Sequence, residues 1–229
     1  MIRYFEGSIF NVNTDAVVNA VNTKGFMGRG LALEFKLRYN AMFLDYKEKC
    51  ENGLIRVGKV DYYKDREVII VNFPTKKDYK RPSNLCWIEQ GLKDFIRTYK
   101  HLDIKSVAFP KLGTGYGGLN WIDVHNLMIQ YLGDLDIDVY ICLDELKLAA
   151  GDEALMLEQF NNVSLEQLKK LFKLNYKQIL SIDNNRPYKR FWHIYDTESI
   201  GETTYTKIFR YYFNNHNKSK NILTQTTLF

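Results

Sequence analysis

Two glycine-rich segments hold the residue types best suited to gripping a ligand. The first reads Asn19-Ala20-Val21-Asn22-Thr23-Lys24-Gly25-Phe26-Met27-Gly28-Arg29-Gly30. The second reads Pro110-Lys111-Leu112-Gly113-Thr114-Gly115-Tyr116-Gly117-Gly118-Leu119. Glycine lets a backbone approach a ligand closely, and a helix N-terminus behind it offers unpaired N–H groups to an anion. One such loop is an ordinary turn. Two in one domain, with Asn22 just ahead of the first, point to a diphosphate held from both sides.

The elements that must position these loops alternate in type. Apolar runs over 2–5, 16–21, 59–63, 68–73, 106–109 and 137–143 predict strands. Apolar residues three and four apart over 30–39, 40–51, 85–100 and 122–132 predict helices. Thr14-Asp15, Pro82-Ser83 and Asn120 are candidate start or cap residues. Alternating strands and helices imply a sheet covered on both faces, with ligands at the carboxyl ends of its strands. Both glycine loops follow such ends, at Val21 and Phe109.

Near Gly151 the pattern changes. Amphipathic helices are predicted over 153–160, 165–174 and 205–213. Between them, Arg186-Pro187-Tyr188-Lys189-Arg190-Phe191-Trp192-His193-Ile194-Tyr195 interleaves bases with aromatics. The apolar-poor run 214–221 reads as a flexible linker. The net charge of +5 lies wholly in residues 155–229, while 1–154 balance. A basic segment of this kind suits an acidic partner. The 229 residues allow one ordinary domain and an extension. No apolar run is long enough to span a membrane, and the first residues lack a signal-peptide core. Cys50, Cys86 and Cys142 are odd in number and far apart, so the expected setting is a reducing cytoplasm without disulfides. The four histidines show no ligand spacing, and no metal site is expected.

Gly7-Ser8-Ile9-Phe10, Asp15-Ala16-Val17-Val18-Asn19-Ala20-Val21-Asn22 and the two loops together resemble the macrodomain family, which binds ADP-ribose. The resemblance implies a three-layer α/β/α macrodomain with a mixed central sheet, plus a small, mostly helical C-terminal extension. The expected divisions are a macrodomain over 1–154, a basic helical extension over 155–213 and a flexible tail over 214–229. Within the family, Phe26-Met27-Gly28-Arg29-Gly30-Leu31-Ala32-Leu33-Glu34-Phe35-Lys36 and Phe73-Pro74-Thr75-Lys76-Lys77-Asp78-Tyr79-Lys80-Arg81-Pro82-Ser83 resemble the DNA ADP-ribosyl glycohydrolases of DarT–DarG toxin–antitoxin pairs. They also resemble related terminal ADP-ribose glycohydrolases.

The resemblance assigns roles. Gly28, Arg29, Gly30 and Leu31 would hold the diphosphate from one side, and Gly113, Thr114, Gly115, Tyr116 and Gly117 from the other. Asn22 would bond the ribose at the scissile bond, with a loop-tying role as its alternative. Ile9 and Thr75 would complete the ADP-ribose site. Ser8 stands where macrodomains usually carry an aspartate for the adenine amino group, which predicts a weaker hold there. Lys76 falls at the family's catalytic lysine, after a proline turn that ends strand 68–73. It would serve as acid or electrostatic stabiliser, or as an amine nucleophile. Lys77 is its rival. Lys77, Tyr79, Lys80 and Arg81 would contact DNA. Gly117 occupies the position where the related terminal glycohydrolases carry an aspartate.

The activity implied is hydrolytic removal of ADP-ribose from thymidine in single-stranded DNA, with water as co-substrate and no cofactor, reversing a DarT-type toxin. The alternatives are a non-catalytic ADP-ribose reader and a hydrolase of O-acetyl-ADP-ribose or protein-linked ADP-ribose. Lys76 speaks against the first; the basic loop and Gly117 speak against the second. Two further expectations concern the extension. Residues 155–213 would dock on the toxin or on nucleic acid. Gln225-Thr226-Thr227-Leu228-Phe229 resembles the peptide that binds bacterial sliding clamps.

Overall fold

The computed structural model describes residues 1–66 and 68–226, with side chains described as far as residue 217. The chain forms two compact units divided between Glu145 and Leu146. That division lies ahead of the expected 154/155 boundary. The reason is local bonding: the Leu146 carbonyl accepts from Arg190 Nη1 at 2.9 Å, and Ala149 N–H donates to the Lys189 carbonyl at 2.8 Å.

The first unit is built on a six-stranded sheet. Its strands are β1 (Ile2–Phe5), β2 (Ala16–Asn22), β3 (Asp61–Lys64), β4 (Ile69–Lys76), β5 (Ser106–Pro110) and β6 (Asp138–Cys142), in the order β1-β6-β5-β2-β4-β3. All neighbours are parallel except β3 against β4, so the sheet is mixed. β2, β4 and β5 are central and buried on both faces, which is why they read as continuous apolar runs. The layers that cover the sheet are α1 (Gly30–Arg38) with α2 (Asn40–Glu51), and α3 (Leu85–Thr98) with α4 (Trp121–Leu132). Phe35, Met42 and Tyr46 pack on one face with Val17 and Ile70. Ile88, Phe95, Val124 and Met128 pack on the other with Val71 and Phe73. Trp121 packs against this second core, as its helical setting predicts.

Three local readings are corrected. β4 does not stop at a proline turn but runs on to Lys76. β3 ends its pairing at Asn72, so Pro74 sits where no neighbour on that side needs its missing N–H. Thr14-Asp15 caps no helix. Asp15 instead accepts from the Lys105 and Ser106 N–H groups at 2.9 and 2.8 Å, tying the start of β2 to β5. The cap of α3 is Asn84, not Pro82-Ser83, while Asn120 caps α4 as expected.

In the second unit α5 (Asp152–Asn162), α6 (Leu165–Phe172), α7 (Tyr176–Asn185), α8 (His193–Asp196) and α9 (Glu202–Thr226) enclose an aromatic core of Phe160, Tyr188, Phe191, Phe209 and Tyr212. Ser164 with Gln167 and Asn175 with Gln178 form capping boxes at the starts of α6 and α7. The interleaved 186–195 run belongs largely to this packing. Arg186 donates to the Phe160 and Val163 carbonyls, and buried Arg190 pairs with Glu153 at 3.0 Å. Tyr188, Phe191 and Ile194 are buried, leaving Trp192 as its exposed aromatic. The 214–221 segment is helical, continuing α9, and does not form the expected linker. Within it, His216 is buried with Nε2 3.1 Å from the Asp152 carboxylate. Gln225 and Thr226 close α9, and Thr227, Leu228 and Phe229 lie outside the described residues.

Candidate active site

A cleft of about 480 Å³ opens at the carboxyl ends of β2, β4, β5 and β6. Its size suits a nucleotide-like ligand. Both glycine loops line it. Gly28, Arg29, Gly30 and Leu31 form one wall, where the chain enters α1. Gly30 has φ +56°, a left-handed conformation that admits a glycine without strain and aims the start of α1 at the cleft. The first N–H groups of that helix have no partner within it and suit an anion.

Gly113, Thr114, Gly115, Tyr116 and Gly117 form the opposite wall. A Cβ on Gly117 would lie 2.1 Å from the Gly113 carbonyl oxygen, so this loop closes on itself only with glycine there. Gly117 also accepts from the Ser83 N–H at 2.9 Å. Gly115 faces open space instead, with no atom near its missing side chain.

The floor comes from paired strands. Val21 is the register partner of Pro74, but Asn22 is the partner of Lys76. Thr75 is therefore an extra residue on β4. This irregularity brings Asn22 and Lys76 side by side at the cleft, in the way bulges re-aim side chains at sites. Lys76 is buried, 9% exposed, and its Nζ donates to the Tyr116 carbonyl at 2.8 Å. It thus reaches from the strand end to the second glycine loop. Burial holds the ammonium's pKa below the ordinary lysine value, against the opposing pull of the Asp78 charge. Asn22 does the loop-tying work: its Oδ1 accepts from Lys24 N–H at 2.8 Å, and its Nδ2 donates to the Phe26 carbonyl at 2.6 Å. An amide has a second N–H, so this role leaves a donor for a ligand.

Ile9 and Thr75 also line the cleft. Ser8 is not brought to it: its Oγ accepts from Phe10 N–H at 3.5 Å and caps the 3-10 turn Ile9–Asn11. Lys77 turns away from the cleft, with its Nζ 5.6 Å from the Trp87 ring centre. Tyr79 is at the cleft; Lys80 and Arg81 lie on the exposed turn beside it. Sequence reasoning left several cleft residues unassigned, Phe26 and Asp144 among them. Phe26 packs on Tyr79 with ring centres 4.4 Å apart, a contact between residues far apart in the chain. Asp144, two residues beyond β6, has φ +51° and lines the cleft; its place past a strand end was the available signal. Cys142, also lining it, is buried, and its thiol is pushed up to about 12, which keeps it unreactive.

Known proteins are similar to this chain in sequence and fold. The family described as Macro domain matches residues 18–128. A protein of Mycobacterium tuberculosis named DNA ADP-ribosyl glycohydrolase is 41% identical over 177 residues, covering 74% of this chain and 50% of its own. The chain thus spans about half the length of that curated relative. The solved macrodomain of Mycobacterium tuberculosis DarG superposes with a TM-score of 0.60 at 42% identity, covering 62% of this chain and 97% of its own. Thermosipho africanus DarTG, solved in complex with ADP-ribose, gives 0.59 at 32% identity, covering 63% and 42%.

Proposed function

This chain belongs to the macrodomain family, and from that premise we propose that it hydrolyses the bond between ADP-ribose and thymidine in single-stranded DNA. The observation that carries the reading is Lys76, buried at the junction of the two glycine loops with its Nζ on the Tyr116 carbonyl. A diphosphate held between the loops puts the distal ribose over the Asn22–Lys76 strand ends. The N-glycosidic bond breaks, water gives its hydroxyl to the anomeric carbon, and the thymine nitrogen regains a proton. The Lys76 ammonium stabilises the charge that develops on the departing imide. Burial lowers its pKa, and the Asp78 charge opposes that by favouring the protonated form. No step needs a redox or metal partner. The ADP-ribose held by Thermosipho africanus DarTG, and the names of the relatives, support the ligand and the reaction.

The partner in this reading is a DarT-type transferase, whose product would be the substrate here. The Gln225–Phe229 segment is a second proposed contact, with a sliding clamp; titration of the full chain with a clamp, with and without Leu228→Ala plus Phe229→Ala, tests it.

The deciding experiment incubates the protein with thymidine-ADP-ribosylated single-stranded DNA and measures free ADP-ribose. Release is expected. Lys76→Ala should slow it by at least about a hundredfold, while ADP-ribose binding persists and Lys77→Ala stays near wild type. No release by the wild-type protein overturns the proposal. Borohydride trapping of a covalent adduct would move Lys76 from stabiliser to nucleophile.

A further inference from the structure

We infer that Phe26, Tyr79 and Lys80 form a nucleotide subsite at the rim of the cleft, which takes a base adjoining the modified thymidine. The inference rests on the hydrolase reading above. Phe26 and Tyr79 come from different loops and meet at 4.4 Å between ring centres, 35° apart in plane. Both line the cleft, yet they are 43% and 42% exposed. Aromatic pairs that serve only packing lose most of their surface, as Phe95 and Phe109 do in the core. This pair keeps its surface at the mouth of the site that holds Lys76.

The turn that presents it is built, not loose. Asp78 Oδ1 accepts from Lys80 N–H at 2.8 Å, and the Asp78 carbonyl accepts from Arg81 N–H at 3.1 Å. That turn starts two residues past Lys76, so the rings stand a fixed distance from the reacting bond. On the other loop, the Phe26 carbonyl is pinned by the Asn22 amide at 2.6 Å. The Phe26 ring lies over Gly28, where a Cβ would come within 2.4 Å of Cζ. The backbones that carry both rings are therefore anchored before any ligand arrives.

Charge completes the subsite. The Lys80 ammonium lies 5.6 Å from the Tyr79 ring centre and is exposed. A cation beside an aromatic platform suits a base that carries its phosphate with it. The chemistry also requires something of this kind. A thymine that enters a cleft must leave its stack, and its neighbour loses a partner. An aromatic rim beside the catalytic lysine replaces that stacking. The subsite favours single strands, because a paired neighbour cannot offer a face. Lys77 points elsewhere, its Nζ 5.6 Å from the Trp87 ring centre.

The test compares two substrates: thymidine-ADP-ribose inside a single-stranded oligonucleotide, and the isolated ADP-ribosylated thymidine nucleoside. Tyr79→Ala should raise KM for the oligonucleotide by about tenfold or more relative to its effect on the nucleoside, the scale of one lost base–aromatic stack. Tyr79→Phe should restore oligonucleotide KM. Lys80→Ala should weaken the oligonucleotide alone and flatten its salt dependence. A 2-aminopurine placed beside the modified thymidine should be quenched on binding to Lys76→Ala protein and unquenched when Tyr79→Ala is added. Equal losses on both substrates would mean that Tyr79 serves the ADP-ribose, and no loss on either would mean that it serves nothing; each overturns the subsite. Failure of the hydrolase reading looks different: wild-type protein then releases ADP-ribose from neither substrate, and the subsite falls with it.

Discussion

The two glycine loops face each other across one cleft but are built on opposite principles. The first is held by side chains: the Asn22 amide binds its backbone at three atoms, Met27 is buried beneath it, and the Phe26 ring covers Gly28. The second is held by the absence of side chains. Its turn closes through Leu119 N–H to the Gly113 carbonyl at 3.1 Å and Gly118 N–H to the Gly115 carbonyl at 3.0 Å, with Gly117 pressed on the Gly113 oxygen. The same ligand-facing geometry is reached once by adding anchors and once by removing bulk. The first loop should therefore tolerate change at Gly28 and not at its anchor Asn22, while the second should reject it at Gly117.

The largest effect should come from Gly117→Ala. Its Cβ meets backbone, which cannot swing aside, so the loop must rebuild. Calorimetry should find ADP-ribose binding abolished, with stability lowered by about 1–3 kcal/mol, the range for overpacking. Gly115→Phe is the contrast within the loop: it should fold normally, since its position faces open space, and block the cleft. If Gly117→Ala binds like wild type, the second loop is not specified by bulk.

Asn22→Ala should come next. It removes the bonds to the Phe26 carbonyl and two N–H groups, at about 0.5–1.5 kcal/mol for each part-buried hydrogen bond lost. Urea denaturation measures this. A loss no greater than that of an exposed asparagine would remove the anchor from the comparison.

Lys76 links the two loops, and its titration sharpens their roles. Burial, the larger influence, lowers its pKa, while Asp78 raises it. If the ammonium acts, kcat is full at lower pH and falls as pH rises through a value below the ordinary lysine range. If the free amine attacks, kcat rises across the same interval. A pH profile of single-turnover rates separates the two.

Gly28→Ala should do least. Its Cβ meets the tip of the half-exposed Phe26 ring, which can swing away. Stability should stay within about 0.5 kcal/mol, as for surface changes. Unfolding by several kcal/mol would show that the first loop is as intolerant as the second.

Much of this was legible in the chain. Strand runs, glycine loops and their place at carboxyl ends follow from local pattern, and the sheet delivers them together. The offset that sets Lys76 opposite Asn22 does not, because register belongs to two strands at once and Pro74 reads locally as a break. Ser8 reads as a ligand residue because its neighbours match; its Oγ accepts from Phe10 N–H at the turn that follows, and Ser8 is not among the residues lining the cleft. The basic–aromatic run 186–195 hid its packing role because composition cannot distinguish an arginine facing solvent from one bonded to buried carbonyls. The 214–221 segment looked unstructured because one buried histidine, His216, carries little weight in an average over polar neighbours.

Gly117 also bears on ancestry. Glycine and aspartate codons differ by a single nucleotide, so a carboxylate at this position is among the commonest mutations a lineage would sample. The loop as folded rejects it at the backbone, 2.1 Å from the Gly113 oxygen. A switch to carboxylate-assisted chemistry would need several coordinated changes across residues 113–118 before the new side chain could be accommodated. An aspartate at this position is therefore short in genetic distance and long in viable steps.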